Sequence, residues 1–100
     1  MPEKKKQELK LQIQLDEQTA QGIYSNLVVA NHSEGEFVLD FVFVQPQVPQ
    51  AKVRSRVIVS PRQAKRLLRT LGDNVRKYED KFGTIQDVIP QTMEDDGPFH

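Results

Sequence analysis

Histidine is the first residue type to consider for catalysis, because its side chain can gain or lose a proton near pH 7. The chain has two histidines, His32 and His100. Ser33, Glu34 and Glu36 follow His32 closely and would complete the residue types of a hydrolytic triad or a metal site. His32 and these three neighbours lie in one predicted turn, which has no wall to exclude water or to hold their geometry. We therefore favour a plain surface turn and predict no catalytic residue, no metal site and no cofactor.

Two further kinds of catalytic or binding site are missing from the sequence. The five glycines are scattered and match neither the GxGxxG nor the GxxxxGK[ST] pattern of phosphate-binding loops. The chain has no cysteine, which removes thiol nucleophiles, disulfides and cysteine-based metal sites. Together these absences predict that the protein is not an enzyme.

Asp40 is the one acidic residue inside the apolar stretch from Phe37 to Val44. A buried carboxylate without a partner is costly. We therefore predict that Asp40 forms a structural ion pair with an arginine such as Arg54 or Arg56, and a functional carboxylate is the alternative.

Charge is strongly segregated along a chain whose net charge is zero. Residues 11–51 carry −5, residues 52–77 carry +8 and residues 78–100 carry −5. A basic block between two acidic ones suits an acidic macromolecular partner. The alternative is direct nucleic-acid binding, but the block has no interleaved aromatic residue for base stacking and no recognition motif. The predicted partner-binding residues are Lys52, Arg54, Arg56, Arg62, Lys65, Arg66 and Arg69.

The second half of the basic block falls on a predicted helix that starts at Pro61 and ends at Phe82. Ser60 is a suitable N-cap, Pro61 suits the first helical position and Gly83 suits the stop. The apolar residues form a stripe within an arc of roughly 100°, and the basic residues lie opposite. The stripe consists of Ala64, Leu67, Leu68, Leu71, Val75, Tyr78 and Phe82.

Four strands are predicted before this helix. Leu9 to Leu15 alternates strictly between apolar and polar residues, which is typical of a strand with one buried face. The other three are Ile23 to Ala30, Phe37 to Val44 and Val53 to Val59, with a proline-containing loop before the last. The sequence therefore predicts an α+β fold: a four-stranded, mostly antiparallel sheet followed by one long C-terminal helix packed on one face.

The stretch from Phe37 to Val44 is apolar on both faces apart from Asp40. Such a strand is expected to be covered on both sides. One helix covers one face, so we predict that a second copy covers the other in a homodimer. The alternative is that the N-terminal arm or the C-terminal tail folds over that face.

A chain of 100 residues predicts one domain. We expect a flexible arm over residues 1–8, a single α+β domain over residues 9–83 and an acidic, partly disordered tail over residues 84–100. The start shows no secretory signal, and no apolar run reaches the ~20 residues of a membrane span. We therefore expect a cytoplasmic protein without a membrane partner.

Four ordered blocks between residues 9 and 83 resemble a family of small prokaryotic proteins known as domain of unknown function 3467. The blocks are Gly22 to Leu27 (GIYSNL), Glu36 to Phe41 (EFVLDF), Ala51 to Arg56 (AKVRSR) and Pro61 to Leu68 (PRQAKRLL). The resemblance implies a short cytoplasmic protein without an assigned activity and adds no catalytic residue. In some bacterial groups the family's gene lies beside RNA polymerase large-subunit genes, which implies an association with transcription.

Overall fold

The computed structural model describes residues 10–87. They form two compact units. One unit contains the described residues up to Asn31 together with Val38–Ile58, and the other contains His32–Phe37 together with the described residues from Val59 onward. The elements in chain order are α1 (Glu17–Ala20), β1 (Leu27–His32), β2 (Phe37–Gln45), β3 (Gln50–Val59) and α2 (Pro61–Phe82). The predicted α+β class is confirmed.

The sheet has three antiparallel strands in the order β1-β2-β3. A tight turn joins β1 to β2, and in it the Ser33 amide donates a hydrogen bond to the Glu36 carbonyl at 2.9 Å. The turn from Pro46 to Pro49 joins β2 to β3, as the two prolines predict. Each of the outer strands, β1 and β3, therefore has one edge without a strand partner in the part of the chain that the structure describes.

The prediction of a fourth strand from Leu9 to Leu15 is wrong for the described residues of that segment. Residues 10–16 have no helical or strand assignment, and Leu9 lies outside the described range. Leu11, Ile13 and Leu15 are 85, 89 and 67% exposed. An alternating sequence makes a strand only when a neighbouring strand accepts its backbone hydrogen bonds, and none does so here.

The strand predicted from Ile23 begins four residues later, at Leu27. Gly22 adopts a positive φ of 77°, a conformation that glycine reaches without steric cost. Ser25 and Asn26 then use their side chains to bond the backbone of β2, so they extend the pairing without being part of the strand. The predicted and observed bounds of β2 and β3 agree more closely.

The centre of β2 is the most buried part of the described chain. Val42 is 5% exposed and Asp40 is 6% exposed, while the other residues from Phe37 to Val44 are half-buried.

Helix α2 begins and ends where the sequence predicts. The Ser60 hydroxyl accepts a hydrogen bond from the Gln63 amide at 3.1 Å, and Pro61 occupies the first turn. Gly83 ends the helix with a φ of 100°, and its amide donates to the Glu79 carbonyl at 2.9 Å. No residue of the helix is buried, and Leu68 is 75% exposed. Among residues 10–87, no helix has the length and apolar character needed to cross a membrane.

Candidate functional site

The predicted ion pair of Asp40 exists, and its partner is Arg56. The Arg56 Nε donates to Asp40 Oδ1 at 2.7 Å, and its Nη2 donates to Asp40 Oδ2 at 2.9 Å. The two residues lie on neighbouring strands, β2 and β3. Two parallel bonds from one planar guanidinium are a strong and specific way to hold a carboxylate.

The hydrogen bonds from Arg56 lower the pKa of Asp40 below its usual value, although burial of the carboxylate acts in the opposite direction. The pKa of Arg56 is raised, again mainly by this hydrogen bonding. A carboxylate that is held ionised cannot donate a proton as a general acid at neutral pH. Arg56 is one of the residues that the sequence analysis predicts to bind a partner. Two of its N–H groups donate to Asp40, and its side chain is 61% exposed.

Lys52 and Arg54 precede Arg56 on β3 and are both exposed. They line an open depression of about 780 Å³ together with Phe43 and Gln45 of β2 and residues of the β2–β3 turn. Phe43 also packs edge-on against Tyr24, with the ring centroids 6.1 Å apart. Phe43 and Asp40 are three residues apart on β2, so alternation places the Phe43 ring on the face opposite Asp40 and its partner Arg56.

The other four predicted binding residues lie in the first three turns of α2, and all four are exposed. They are Arg62, Lys65, Arg66 and Arg69. The first turn of the helix has no acidic residue. Within residues 10–87, none of the four forms an ion pair, and the only pair on this helix joins Arg76 to Asp73 at 3.0 Å. The N-terminal half of α2 therefore carries basic groups that no described carboxylate neutralises.

His32 is placed differently from the prediction. It is the last residue of β1 rather than part of the turn, and its ring stacks on that of Phe37 with the centroids 5.2 Å apart. No group of three or more potential metal ligands occurs among the described residues. His100 lies outside them.

Residues 1–87 match the family DUF3467, which is described as a protein of unknown function. The chain belongs to this family. No curated protein and no solved structure matches it. The match extends beyond both ends of the segment that the resemblance covers.

Three sequence blocks of this DUF3467 chain contact one another in the sheet. Asp40 of EFVLDF binds Arg56 of AKVRSR. From GIYSNL, the Ser25 hydroxyl donates to the Val42 carbonyl at 2.9 Å. The Asn26 side chain donates to the Val44 carbonyl at 3.0 Å and accepts from the Val44 amide at 2.8 Å.

These contacts give the most recognisable residues of the DUF3467 sequence a structural role. The side-chain amide of Asn26 takes the place of a peptide group of a neighbouring strand. Like a peptide group, it donates one hydrogen bond to β2 and accepts one from it. A Ser-Asn pair directly before an apolar run is the only sequence signal of this arrangement. The predicted basic residues other than Arg56 take no part in these contacts.

Proposed function

We propose that this DUF3467 protein is a non-enzymatic binding or accessory module that engages an acidic macromolecular partner through basic side chains of β3 and α2. The observation that carries the proposal is the composition of the N-terminal half of α2. Arg62, Lys65, Arg66 and Arg69 are exposed and form no ion pair within the described residues. An acidic partner would supply the missing negative charge.

The position of Arg62 in the first turn of α2 disfavours a purely structural role for this residue. The N-terminus of a helix is the positive end of its dipole, so cations there are unfavourable and acids are favourable. This helix has no acidic residue in its first turn. Residues that lower stability where they stand are typical of positions kept for function.

The strand contribution comes from Lys52 and Arg54, which line the depression beside Phe43. Arg56 supports it by remaining exposed while it holds Asp40. The proposal also keeps the prediction that the protein is a cytoplasmic homodimer. An association with transcription rests on the resemblance alone.

Direct nucleic-acid binding is the second candidate, and the number of exposed basic side chains on β3 and α2 is the observation that favours it. Lys and Arg side chains can neutralise phosphates. The basic block has no aromatic residue on which a base could stack.

Binding to simple polyanions separates the two candidates. The probes are a 20-residue polyglutamate peptide and 20-nucleotide DNA and RNA strands, each labelled and titrated at several salt concentrations. An acidic-protein partner predicts binding of polyglutamate as tight as that of the nucleic acids. Nucleic-acid binding predicts a clear preference for DNA or RNA, with a steep loss of affinity as salt increases.

The matched variants reverse three charges each. Replacement of Arg62, Arg66 and Arg69 by Glu is expected to abolish binding, whereas replacement of Arg76, Lys77 and Lys81 by Glu is expected to weaken it much less. Circular dichroism checks that both variants are folded. If neither probe type binds the wild-type protein at low salt, or if both triple variants lose binding equally, the proposal is wrong.

A further inference from the structure

Residues 10–15 form an arm that has the sequence of a strand and no strand partner between residues 10 and 87. Their apolar side chains, Leu11, Ile13 and Leu15, are 67–89% exposed, while Lys10, Gln12 and Gln14 alternate with them. No backbone hydrogen bond joins the arm to the rest of the described chain. Exposed apolar residues that cluster in one segment are typical of a surface that contacts another protein segment.

The outer edge of β3 is a suitable place for such a segment. This strand has ten residues, so its length exceeds the roughly 20 Å that six extended residues span. Its outer edge has no strand partner within the described range. Open edges of this length attract further strands by backbone hydrogen bonding.

The apolar side chains of β3 match those of the arm on one face. Val53 and Val57 lie on that face and are 48 and 40% exposed, whereas Lys52, Arg54 and Arg56 lie on the other. Pairing the arm with β3 would place its leucine and isoleucine side chains beside the valines. The same register would place Gln12 and Gln14 beside the basic side chains, whose N–H groups they can accept, with Lys10 at the end of the arm on that same face.

The outer edge of β1 is a poorer match. Leu27, Val28, Val29 and Ala30 make both faces of β1 apolar. An arm paired there would set its glutamines against apolar side chains, where their amides would lose water without gaining partners.

The segment that follows the arm lies against the sheet next to β3. Thr19 of α1, Gly22 and Ile23 line a shallow cavity of about 320 Å³ together with Phe41 of β2 and with Ser55 and Val57 of β3. The segment after the arm therefore crosses the sheet face next to β3. Even so, the arm leaves its own β3 unpaired.

We propose that the arm pairs with the outer edge of β3 in a second copy of this chain, and that two copies exchange arms around a two-fold axis. The exchange uses one segment and one edge of each chain, so it is self-complementary and closes after two copies. It deepens the homodimer part of the proposed function and is independent of what the basic residues of α2 bind.

Engineered cysteines test this pairing cleanly, because the chain has none of its own. Two differently tagged chains are mixed, one with Ile13→Cys and the other with Val53→Cys or Val57→Cys. We expect a disulfide between the two chains for at least one of these positions, since paired strands bring the Cα atoms within the 4.4–6.8 Å that a disulfide needs. The control pairs Ile13→Cys with Val28→Cys on β1 and is expected to give none.

A second pair of variants tests the backbone hydrogen bonds of the arm without removing an apolar side chain. Gln12→Pro removes one N–H donor and bends the arm, and Gln12→Ala keeps the donor. Sedimentation is expected to show that Gln12→Pro raises the dimer dissociation constant at least about tenfold, while Gln12→Ala changes it by less than about threefold. Circular dichroism is expected to be the same for both.

The outcomes distinguish failure of the arm exchange from failure of the homodimer. A wild-type protein that is monomeric at 100 µM would overturn both the exchange and the homodimer. A dimer that Gln12→Pro leaves intact, but that Leu68→Asp on α2 dissociates, would keep the homodimer and overturn the exchange. A double variant that carries Ile13→Cys and Val53→Cys in the same chain provides a further check. If the disulfide forms only within this one chain, and not between two chains, the exchange is overturned.

Discussion

Arg56 on β3 holds Asp40 on β2 through two hydrogen bonds, and Asp40 is the only buried charged residue among residues 10–87. The pair joins the central strand to its neighbour at the most buried point of the sheet. Because the pKa of Asp40 is lowered, the pair links folding stability to pH.

Asp40→Asn is expected to remove this pH dependence. A carboxyl with a lowered pKa in the folded state stabilises the protein above its unfolded-state pKa, and that contribution disappears as pH falls through the folded-state pKa. The wild type should therefore be more stable than Asp40→Asn at pH 7, and the difference should shrink below about pH 5 and vanish at the most acidic pH. Urea denaturation between pH 2 and pH 7 at one protein concentration measures it.

The control for this prediction is Asp73→Asn, which breaks the exposed pair with Arg76. Exposed pairs contribute little to stability, so this variant should follow the wild-type pH curve. A difference between wild type and Asp40→Asn that stays constant over the whole pH range would contradict the assigned role of Asp40.

Asn26→Ala is expected to weaken the attachment of β1 to β2. The substitution removes both side-chain bonds to the Val44 backbone and should cost about 1–2 kcal/mol of unfolding free energy. Hydrogen exchange of the Val44 amide should accelerate, because its acceptor is lost. Asn74→Ala is the control: its amide bonds the Thr70 carbonyl on the helix surface, and we expect a change within about 0.5 kcal/mol.

Two glycines on the α2 segment are expected to respond to alanine in opposite directions. Gly83 has a φ of 100°, so Gly83→Ala should destabilise the protein by about 1–3 kcal/mol. Gly72 lies inside the helix and no atom is within 4 Å of an added Cβ, so Gly72→Ala should stabilise it by about 0.5–1 kcal/mol. Thermal denaturation measures both, and a loss of stability in Gly72→Ala would show that an assembly contact needs this glycine.

Arg62→Glu is expected to separate stability from binding. An acid in the first turn of α2 interacts favourably with the helix dipole, so the variant should be about 0.3–1 kcal/mol more stable than the wild type. The same variant should bind the polyanion probes less tightly. A variant that is less stable instead would show that Arg62 supports the fold, and it would remove the main support for a binding role of this helix end.

The sequence predicted α2 to the residue because its limits depend on local chemistry. The Ser60 hydroxyl, the fixed φ of Pro61 and the free φ of Gly83 act within one turn of the helix. The apolar period likewise located β2 and β3, and the cost of burying a lone carboxylate predicted that Asp40 would have an arginine partner.

Contacts between residues distant along the chain could not be predicted in the same way. Arg54 and Arg56 are equivalent by alternation, and only the register of β3 against β2 decides that Arg56 meets Asp40. Phe43 lines the same depression as Lys52 and Arg54 because a turn reverses the chain between them. Asn26 substitutes for a strand residue only where the Val44 backbone is in reach.

The arm shows most clearly which feature the local sequence does not predict, namely the strand partner of a strand-forming segment. Alternation in residues 9–15 establishes that the segment is suited to a strand, because period two places every second side chain on one face. Alternation does not specify which edge accepts it, since any open strand offers the same N–H and C=O groups. The chain's amino acids alone thus determine the helix, its caps and the strand-forming segments. Tertiary structure decides which charges pair and leaves residues 10–15 without a strand partner among the described residues, because both depend on how distant backbone edges approach each other.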